Sequence, residues 1–303
     1  MTRPFRFGVV APLRTDPRTW RDRVRRIADY GYSTLLVPDF PQTQPAPAPM
    51  LATAAALTDL RVGTWVYASP LRPAWLTAWE AHSLTLLTDG RFEMGIGTGR
   101  PGIDDELRTK GVSPTPPTER LGEIRTTVET LRELDGPDQH TPVAMAVYGP
   151  KAQALAAEVA DIVTFTLGDQ PREEVARMAS DFRATADPEL ALHIPVIGDT
   201  VAPHMAHPAT DPAALRAADA LTVLPDDPVA ASEEIQRRRD EIGFSYFVIG
   251  ADFAERFAPV VAELGGRQGA PAVTGSVADL ANQRGAGDAQ TNGNDTPRPS
   301  KSP

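Results

Sequence analysis

VGTWVYASPLRPAWLTAWEAHSLTLLTDGRFEMGIGTG, Val62 to Gly99, reads as strand, helix and strand in succession. A β-branched and aromatic run over Val62 to Ala68 gives way to a helical stretch at Ala74 to Leu87, and a second short apolar run follows at Phe92 to Ile96. Working outward, the alternation continues in both directions. Strands are expected at Arg6 to Val10, Thr34 to Val37, Val143 to Val147, Ile162 to Thr166, Leu192 to Ile197 and Tyr246 to Ile249. Helices are expected at Pro17 to Tyr30, Pro49 to Leu57, Thr118 to Leu134, Pro150 to Ala160, Pro171 to Ala184 and Pro228 to Ile242, with Asp252 to Leu264 after the last strand. Repeated βα units with eight strands of comparable weight point to an α/β fold, a single eight-stranded β/α (TIM) barrel over residues 1–265. A doubly wound sheet gives a similar alternation, but no dinucleotide fingerprint stands at the first turn.

Local chemistry supports several boundaries. Gly31 and Gly243 follow the last periodic residue of their helices as C-caps, and Pro171 and Pro228 sit where a first-turn proline is tolerated. Glu173, Glu174, Glu233 and Glu234 place negative charge near helix N-termini. Residues 266–303 are rich in Gly, Ala, Asn, Asp, Ser and Pro without apolar periodicity, and are expected to be a disordered tail. Gly198 to Asp227 has no assignable layout beyond a short helical stretch at Pro212 to Ala218; after a seventh barrel strand, such a segment forms a phosphate site or a lid.

The 303 residues, 41% hydrophobic, can bury a sizeable core. No run of about 18 apolar residues is present and the N-terminus lacks a secretory apolar stretch, so a cytoplasmic protein is expected. Zero cysteines exclude disulfides, thiolate metal sites and cysteine nucleophiles, so redox chemistry would need a bound cofactor. The net charge of -10 argues against nucleic acid and anionic membranes, and the basic cluster Arg18 to Arg26 reads as a solvated helix face. His204 and His207 are flanked by Pro203 and Pro208, which argues for an extended lid; no metal site is expected.

The Val62 to Gly99 stretch resembles the third strand, third helix and fourth strand of the luciferase-like monooxygenase superfamily. GYSTLLVPDF at Gly31 to Phe40, YGPKAQALAAEVADIVTF at Tyr148 to Phe165, and EIGFSYFVIGADFAERFAPVVAELGG near the end extend the resemblance, in family order, over nearly all of residues 5–265. Within it, the chain looks most like members that use the deazaflavin coenzyme F-420; flavin mononucleotide (FMN) is the alternative. The resemblance implies a homodimeric barrel with its cofactor across the C-terminal mouth of the strands.

On that resemblance the candidate cofactor residues are Phe40, Ala68, Ser69, Gly97, Gly99, Tyr148, Gly149, Pro150 and Lys151. Gly95, Gly97 and Gly99 remove side chains where a flat ring could approach the backbone; a glycine-rich barrel corner is the bland alternative. Tyr148-Gly149-Pro150-Lys151 leads from strand to helix, with free N–H groups for a phosphate; an ordinary βα connection with an exposed lysine is the equal alternative. The Val66 to Ser69 strand end is implied to contact the ring through a strained or cis peptide, with Ser69 hydrogen-bonding its edge. Asp39 and Arg72 are the catalytic candidates.

The chain also departs from the family pattern. An Asp-His pair at the second strand end reads Asp39-Phe40, and an Arg-His-Pro turn reads Arg72-Pro73-Ala74. Leu224-Pro225-Asp226-Asp227 stands where a small, hydroxyl-bearing phosphate turn is expected, and the two carboxylates read instead as helix caps. Glu80 is expected to cap or brace a loop, His82 to be a satisfied packing residue, and Trp75 and Trp79 to pack in the core, with a substrate wall formed with Trp65 and Tyr67 as the alternative.

The leading function is deazaflavin-dependent hydride transfer to or from a small or peptide-borne organic substrate. The alternatives are an FMN monooxygenase fed by a separate reductase, and a degenerate barrel that binds cofactor or partner without turnover.

Overall fold

The computed structural model describes residues 3–265; the expected disordered tail, 266–303, lies outside them. The elements run β1 (Arg6–Val10), α1 (Pro17–Asp29), β2 (Thr34–Val37), α2 (Pro47–Leu57), β3 (Arg61–Thr64), β4 (Tyr67–Ala68), α3 (Ala74–Leu87), β5 (Phe92–Gly97), α4 (Ile103–Thr109), α5 (Pro117–Asp135), β6 (Val143–Val147) and α6 (Pro150–Val159). They continue with β7 (Ile162–Phe165), α7 (Arg172–Arg183), β8 (Glu189–Ile194), β9 (Val196–Ile197), β10 (Thr200–Val201), α8 (Pro212–Ala217), β11 (Val223–Leu224), α9 (Pro228–Glu241), β12 (Phe244–Gly250) and α10 (Ala254–Gly265). Parallel pairing follows the order β3-β2-β1-β12-β8-β7-β6-β5-β4, and β3–β5 pairing closes the ring. The split strand β3/β4 counts once, so the ring is the expected eight-stranded TIM barrel.

Differences from the sequence reading have local causes. The expected strand Val62 to Ala68 breaks at Trp65 and Val66, whose peptide bond is cis, so the ladder to β5 is made in two pieces. The seventh barrel strand starts at Glu189, and Val196–Ile197 leaves it to pair with β10 and β11 in a separate three-stranded sheet. That sheet, with α8, is the layout of the unassigned segment. Val196, Leu215, Ala220 and Val223 form its own small core. Buried Arg238 on α9 holds it to the barrel, donating to the carbonyls of Leu221 and Val223 at 2.7 Å each while paired with Glu234 at 2.8 Å. Burial lowers the Arg238 pKa to about 10.

The helix Ile103–Thr109 has no counterpart in the sequence reading. Gly31 and Gly243 take φ of 82° and 95° after α1 and α9. Asp227 caps α9 by accepting from the Ala230 N–H, whereas Asp226 pairs with Arg256 at 3.1 Å and is not a cap.

Alternation along the strands turns Arg6, Glu93, Glu189 and Tyr246 inward at the N-terminal end of the barrel. There Arg6 bonds Glu93 and Glu189 at 2.6 Å each, and the Tyr246 hydroxyl donates to Glu93 at 2.7 Å. Burial and the Glu93 carboxylate push the Tyr246 phenol pKa well up, so it stays a donor. This lattice fills the lower end and leaves the C-terminal mouth as the open one. The partial exposure of Ala146, on the inward face of β6, shows solvent reaching down to it.

Trp75 and Trp79 are 61% and 57% exposed, which corrects the expectation of core packing. Both α2 and α3 are apolar nearly all round, so the periodicity does not mark which face is buried. The only charge-bearing residues of α3, Glu80 and His82, are taken up by internal partners. Among the described residues no helix is long and apolar enough to cross a membrane.

Candidate cofactor site at the barrel mouth

Every residue singled out for the site stands at or just beyond the C-terminal end of its strand, where catalytic groups of such barrels collect. Asp39 follows β2 and is buried; Arg72 follows the 3-10 turn Ser69–Leu71. Arg72 Nη2 forks onto both Asp39 oxygens at 3.1 and 3.2 Å, and its Nη1 donates to Glu80 at 3.1 Å. The guanidinium also lies 4.2 Å over the Tyr67 ring, and the Tyr67 hydroxyl donates to the same Glu80 oxygen at 2.6 Å. Burial, then the Glu80 carboxylate, push the Tyr67 pKa well up, which keeps it a donor. Asp39 accepts in turn from the Ala68 N–H at 3.3 Å. A fork of planar charge-assisted bonds therefore fixes the strand end Tyr67-Ala68-Ser69. The expectation that Glu80 braces a loop is met, and its partners are site residues. His82 is satisfied by Asp135 at 2.9 Å.

Ala68 is in register with Gly97 on β5. A Cβ on Gly97 would stand 3.2 Å from Val66 and 3.4 Å from Ala146, one on Gly99 would meet Ile103, and one on Gly95 would overlap the Thr64 carbonyl. Gly95 is thus required by the chain's own packing, whereas at Gly97 and Gly99 an added methyl would press on the side chains of Val66, Ala146 and Ile103. Gly97 still lies beside Ala68 and Ala146 at the mouth.

Gly149 differs. It takes φ 79° as N-cap of α6, with Pro150 at the first helical position, no side-chain cap, and nothing within 4 Å of a Cβ placed on it. Tyr148 is 80% exposed and Lys151 is exposed, so the helix end faces solvent with a cation beside it. By contrast, Asp227 already occupies the N-terminus of α9. Phe40, in the place of the missing histidine, lies under Arg100, whose guanidinium is 4.9 Å from the ring centroid and which pairs with Glu106.

Two residues at the mouth escaped the sequence reading as site groups. His193 on β8 stacks on Trp65, with centroids 6.3 Å apart and planes at 11°. Its Nδ1 accepts from the Trp65 indole N–H at 3.1 Å and its Nε2 donates to the Met205 carbonyl at 2.7 Å, so both ring nitrogens are engaged. Thr164 on the inward face of β7 is buried with no partner for its hydroxyl. The available signal was strand periodicity: both occupy inward-facing strand positions.

These residues fit a planar, phosphate-bearing cofactor. Ser69 Oγ is buried and unpartnered beside the strand end, as an edge-binding hydroxyl would be without its ligand. The open, uncapped α6 terminus suits a phosphate.

A model of the luciferase-like monooxygenase family matches residues 4–290. The 4-hydroxyprotoasukamycin monooxygenase of Streptomyces nodosus subsp. asukaensis is 31% identical over 135 residues, 42% of this chain and 36% of that protein, so the match spans about a third of that relative's length. A coenzyme F-420-dependent tetrahydromethanopterin reductase from Methanopyrus kandleri superposes with a TM-score of 0.65 at 13% identity, covering 86% of this chain and 98% of that one. A monooxygenase from Streptomyces bottropensis gives 0.64 at 18%, covering 86% and 98%. At such identities these two structures share the fold.

Proposed function

Because this chain belongs to the luciferase-like monooxygenase family, we propose that it is an oxidoreductase that uses the deazaflavin F-420 for hydride transfer to or from a small or peptide-borne organic substrate. The observation that carries this reading is the unpartnered, buried Ser69 hydroxyl at a strand end fixed by the Asp39–Arg72–Glu80 network. Ala68, Ser69 and Gly97 would hold the ring, and Gly149, Pro150 and Lys151 the phosphate, with Phe40 and Tyr148 at the rim. When bound, the cofactor supplies a hydride donor or acceptor. The chain's own residues orient it and restrict water. Phe40 cannot donate a proton, Asp39 is committed to Arg72 and Ala68, and both His193 nitrogens are engaged, so these three residues supply no free acid to either reaction.

A flavin mononucleotide monooxygenase with a separate reductase is the second reading, favoured by the 31% identical relative. Titration of the chain with oxidised F-420 and, separately, FMN, followed by tryptophan fluorescence, decides between them. Binding of the deazaflavin alone at micromolar affinity or better is expected. Binding of FMN alone transfers the assignment to the monooxygenase, and binding of neither overturns both readings.

We further infer a homodimer joined through α2 and α3. Trp75, Trp79 and Leu86 form one stripe, 61%, 57% and 57% exposed, beside the charge-free helix α2. Light scattering should give a dimer for the wild type at micromolar concentration and a monomer for Trp79→Glu, because the introduced carboxylate would be desolvated at the interface. A monomeric wild type at about 100 μM, far above the Kd of a stable dimer, would remove the interface.

A further inference from the structure

Among Trp65, Tyr67, Trp75 and Trp79, one aromatic side chain reaches into the barrel mouth. Tyr67 is fully buried beneath the Arg72 guanidinium, and Trp75 and Trp79 are exposed on α3. Trp65 turns inward after β3 and meets His193 on β8, four places around the ring of strands. An indole N–H and an imidazole lone pair both lie in the plane of their rings. The 3.1 Å bond between planes 11° apart, with centroids displaced to 6.3 Å, therefore sets the two rings side by side as one flat plate. His193 Nε2 donates to the Met205 carbonyl at 2.7 Å, so no polar atom of the plate is free.

This plate divides the mouth into halves that are filled differently. On the β2, β1 and β12 side, Leu36, Val10 and Val248 are buried, and the turn Ala202 to Met205 lies against Gly250, the last residue of β12. A Cβ on Gly250 would stand 2.8 Å from Ala202 Cβ and 3.2 Å from Met205 Sδ. On the other side the inward residues are small. Gly97 adjoins Ala146, and Ala146 is in register with Thr164. Solvent reaches Ala146, Val66, Trp65 and His193, each partly exposed. Tyr246, in register with Ala191 two residues before His193, is fully buried beneath, so that exposure comes from the mouth. In this open half Thr164 is 5% exposed, and its hydroxyl has no partner in the chain. A buried hydroxyl left unpaired is costly, and a ligand atom that bonds it recovers that cost.

Building on the oxidoreductase reading of this mouth, we propose that its open half takes a substrate with a flat conjugated ring bearing one oxygen. The ring lies along the Trp65–His193 plate and the Thr164 hydroxyl bonds the oxygen. Trp65 selects for planarity, since an aromatic pair gains more than its buried area alone supplies. His193 is a positioning residue: its Nδ1 holds the indole N–H while Met205 holds its Nε2. With both nitrogens engaged, the plate offers a ligand no hydrogen bond, and Thr164 is the polar point in an apolar slot. The proposed cofactor residues Ala68, Ser69 and Gly97 adjoin the slot through the Gly97–Ala146 contact.

The test uses three probes: acetophenone, cyclohexyl methyl ketone, which has the same carbon skeleton but a puckered ring, and toluene, which is flat and has no oxygen. Binding to the full chain is followed by NMR through the Ala146 and Thr164 amides, with and without F-420. Acetophenone is expected to bind about fivefold tighter than the puckered ketone, the increment of an aromatic pair. It should exceed toluene by about fivefold as well, the increment of one hydrogen bond. Trp65→Leu and His193→Leu collapse the first ratio, and Trp65→Phe retains part of it. Thr164→Val removes the second ratio and leaves the first. Each ratio is internal to one variant, so a change in stability does not imitate it. Equal binding of the two ketones, a first ratio that survives Trp65→Leu, or displacement of acetophenone by F-420 overturns the slot. F-420 binding without the ketone preference removes the slot and leaves the cofactor reading, and the preference without cofactor binding does the reverse.

Discussion

Replacing Arg72 with alanine is expected to lower stability by about 3 to 5 kcal/mol, the usual cost of removing one partner of a buried charge pair, and to weaken cofactor binding more than tenfold. Its partner Asp39 has a side chain only 2% exposed, against 16% for Arg72, so the carboxylate left behind could not rehydrate without moving. Glu80 and the Tyr67 ring lose a neighbour at the same time. Thermal unfolding should show a midpoint lower by roughly 6 to 20 °C, at about 2 to 4 °C per kcal/mol for a chain this long. Arg72→Lys keeps the charge but not the planar fork, since one ammonium cannot reach both Asp39 oxygens and Glu80 in the same geometry. It should fall between the two. Glu80→Gln keeps an acceptor for Tyr67 and should cost only about 1 kcal/mol, the range of a single hydrogen bond. If Arg72→Ala unfolds within about 0.5 kcal/mol of wild type, a typical surface substitution, the network does not fix the strand end and the site reading loses its frame.

This network shows how much of the molecule was legible in the sequence. The barrel was, because each βα unit repeats the same periodicity change and the cap chemistry at Gly31, Gly243 and Asp227 agrees with it. Asp39 and Arg72 were found as a pair of candidates, but their mutual contact joins residues 33 apart and is invisible to local pattern. His193 was passed over because a histidine within an apolar run signals a strand, while its role depends on Trp65, 128 residues away. The arm from β9 to β11 was unreadable for a different reason. Its strands are two residues long, and its order comes from Arg238 on a later helix. Trp75 and Trp79 misled because a helix apolar on every side gives no phase to the pattern.

The glycines carry the second large effect. Alanine at Gly95 should prevent the barrel from closing normally and cost at least about 3 kcal/mol, beyond ordinary overpacking, because it meets a carbonyl rather than a side chain free to rotate. The added methyl would overlap the Thr64 carbonyl oxygen, whose residue is already locked to β5 by Thr64 Oγ1 bonds to the Gly95 carbonyl at 2.7 Å and the Gly95 N–H at 2.9 Å. Alanine at Gly149 should behave oppositely. Nothing lies within 4 Å of the added methyl, so the only folding cost is the backbone's φ of 79° with ψ of 169°, a region open essentially to glycine alone, about 1 to 3 kcal/mol. The protein should fold and keep its oligomeric state. Cofactor affinity should nevertheless fall about tenfold or more, since the methyl occupies the open space at the α6 terminus and a residue avoiding φ > 0 turns the first N–H groups away from a phosphate. The pair separates two kinds of glycine that look alike in sequence, one hemmed in by the chain's own packing and one beside open space where the proposed phosphate would sit. Unfolding curves check the first and fluorescence titration the second. A Gly149→Ala protein that binds cofactor as the wild type does would move the phosphate away from α6, and the Asp227 cap would leave the other conventional helix end closed to it.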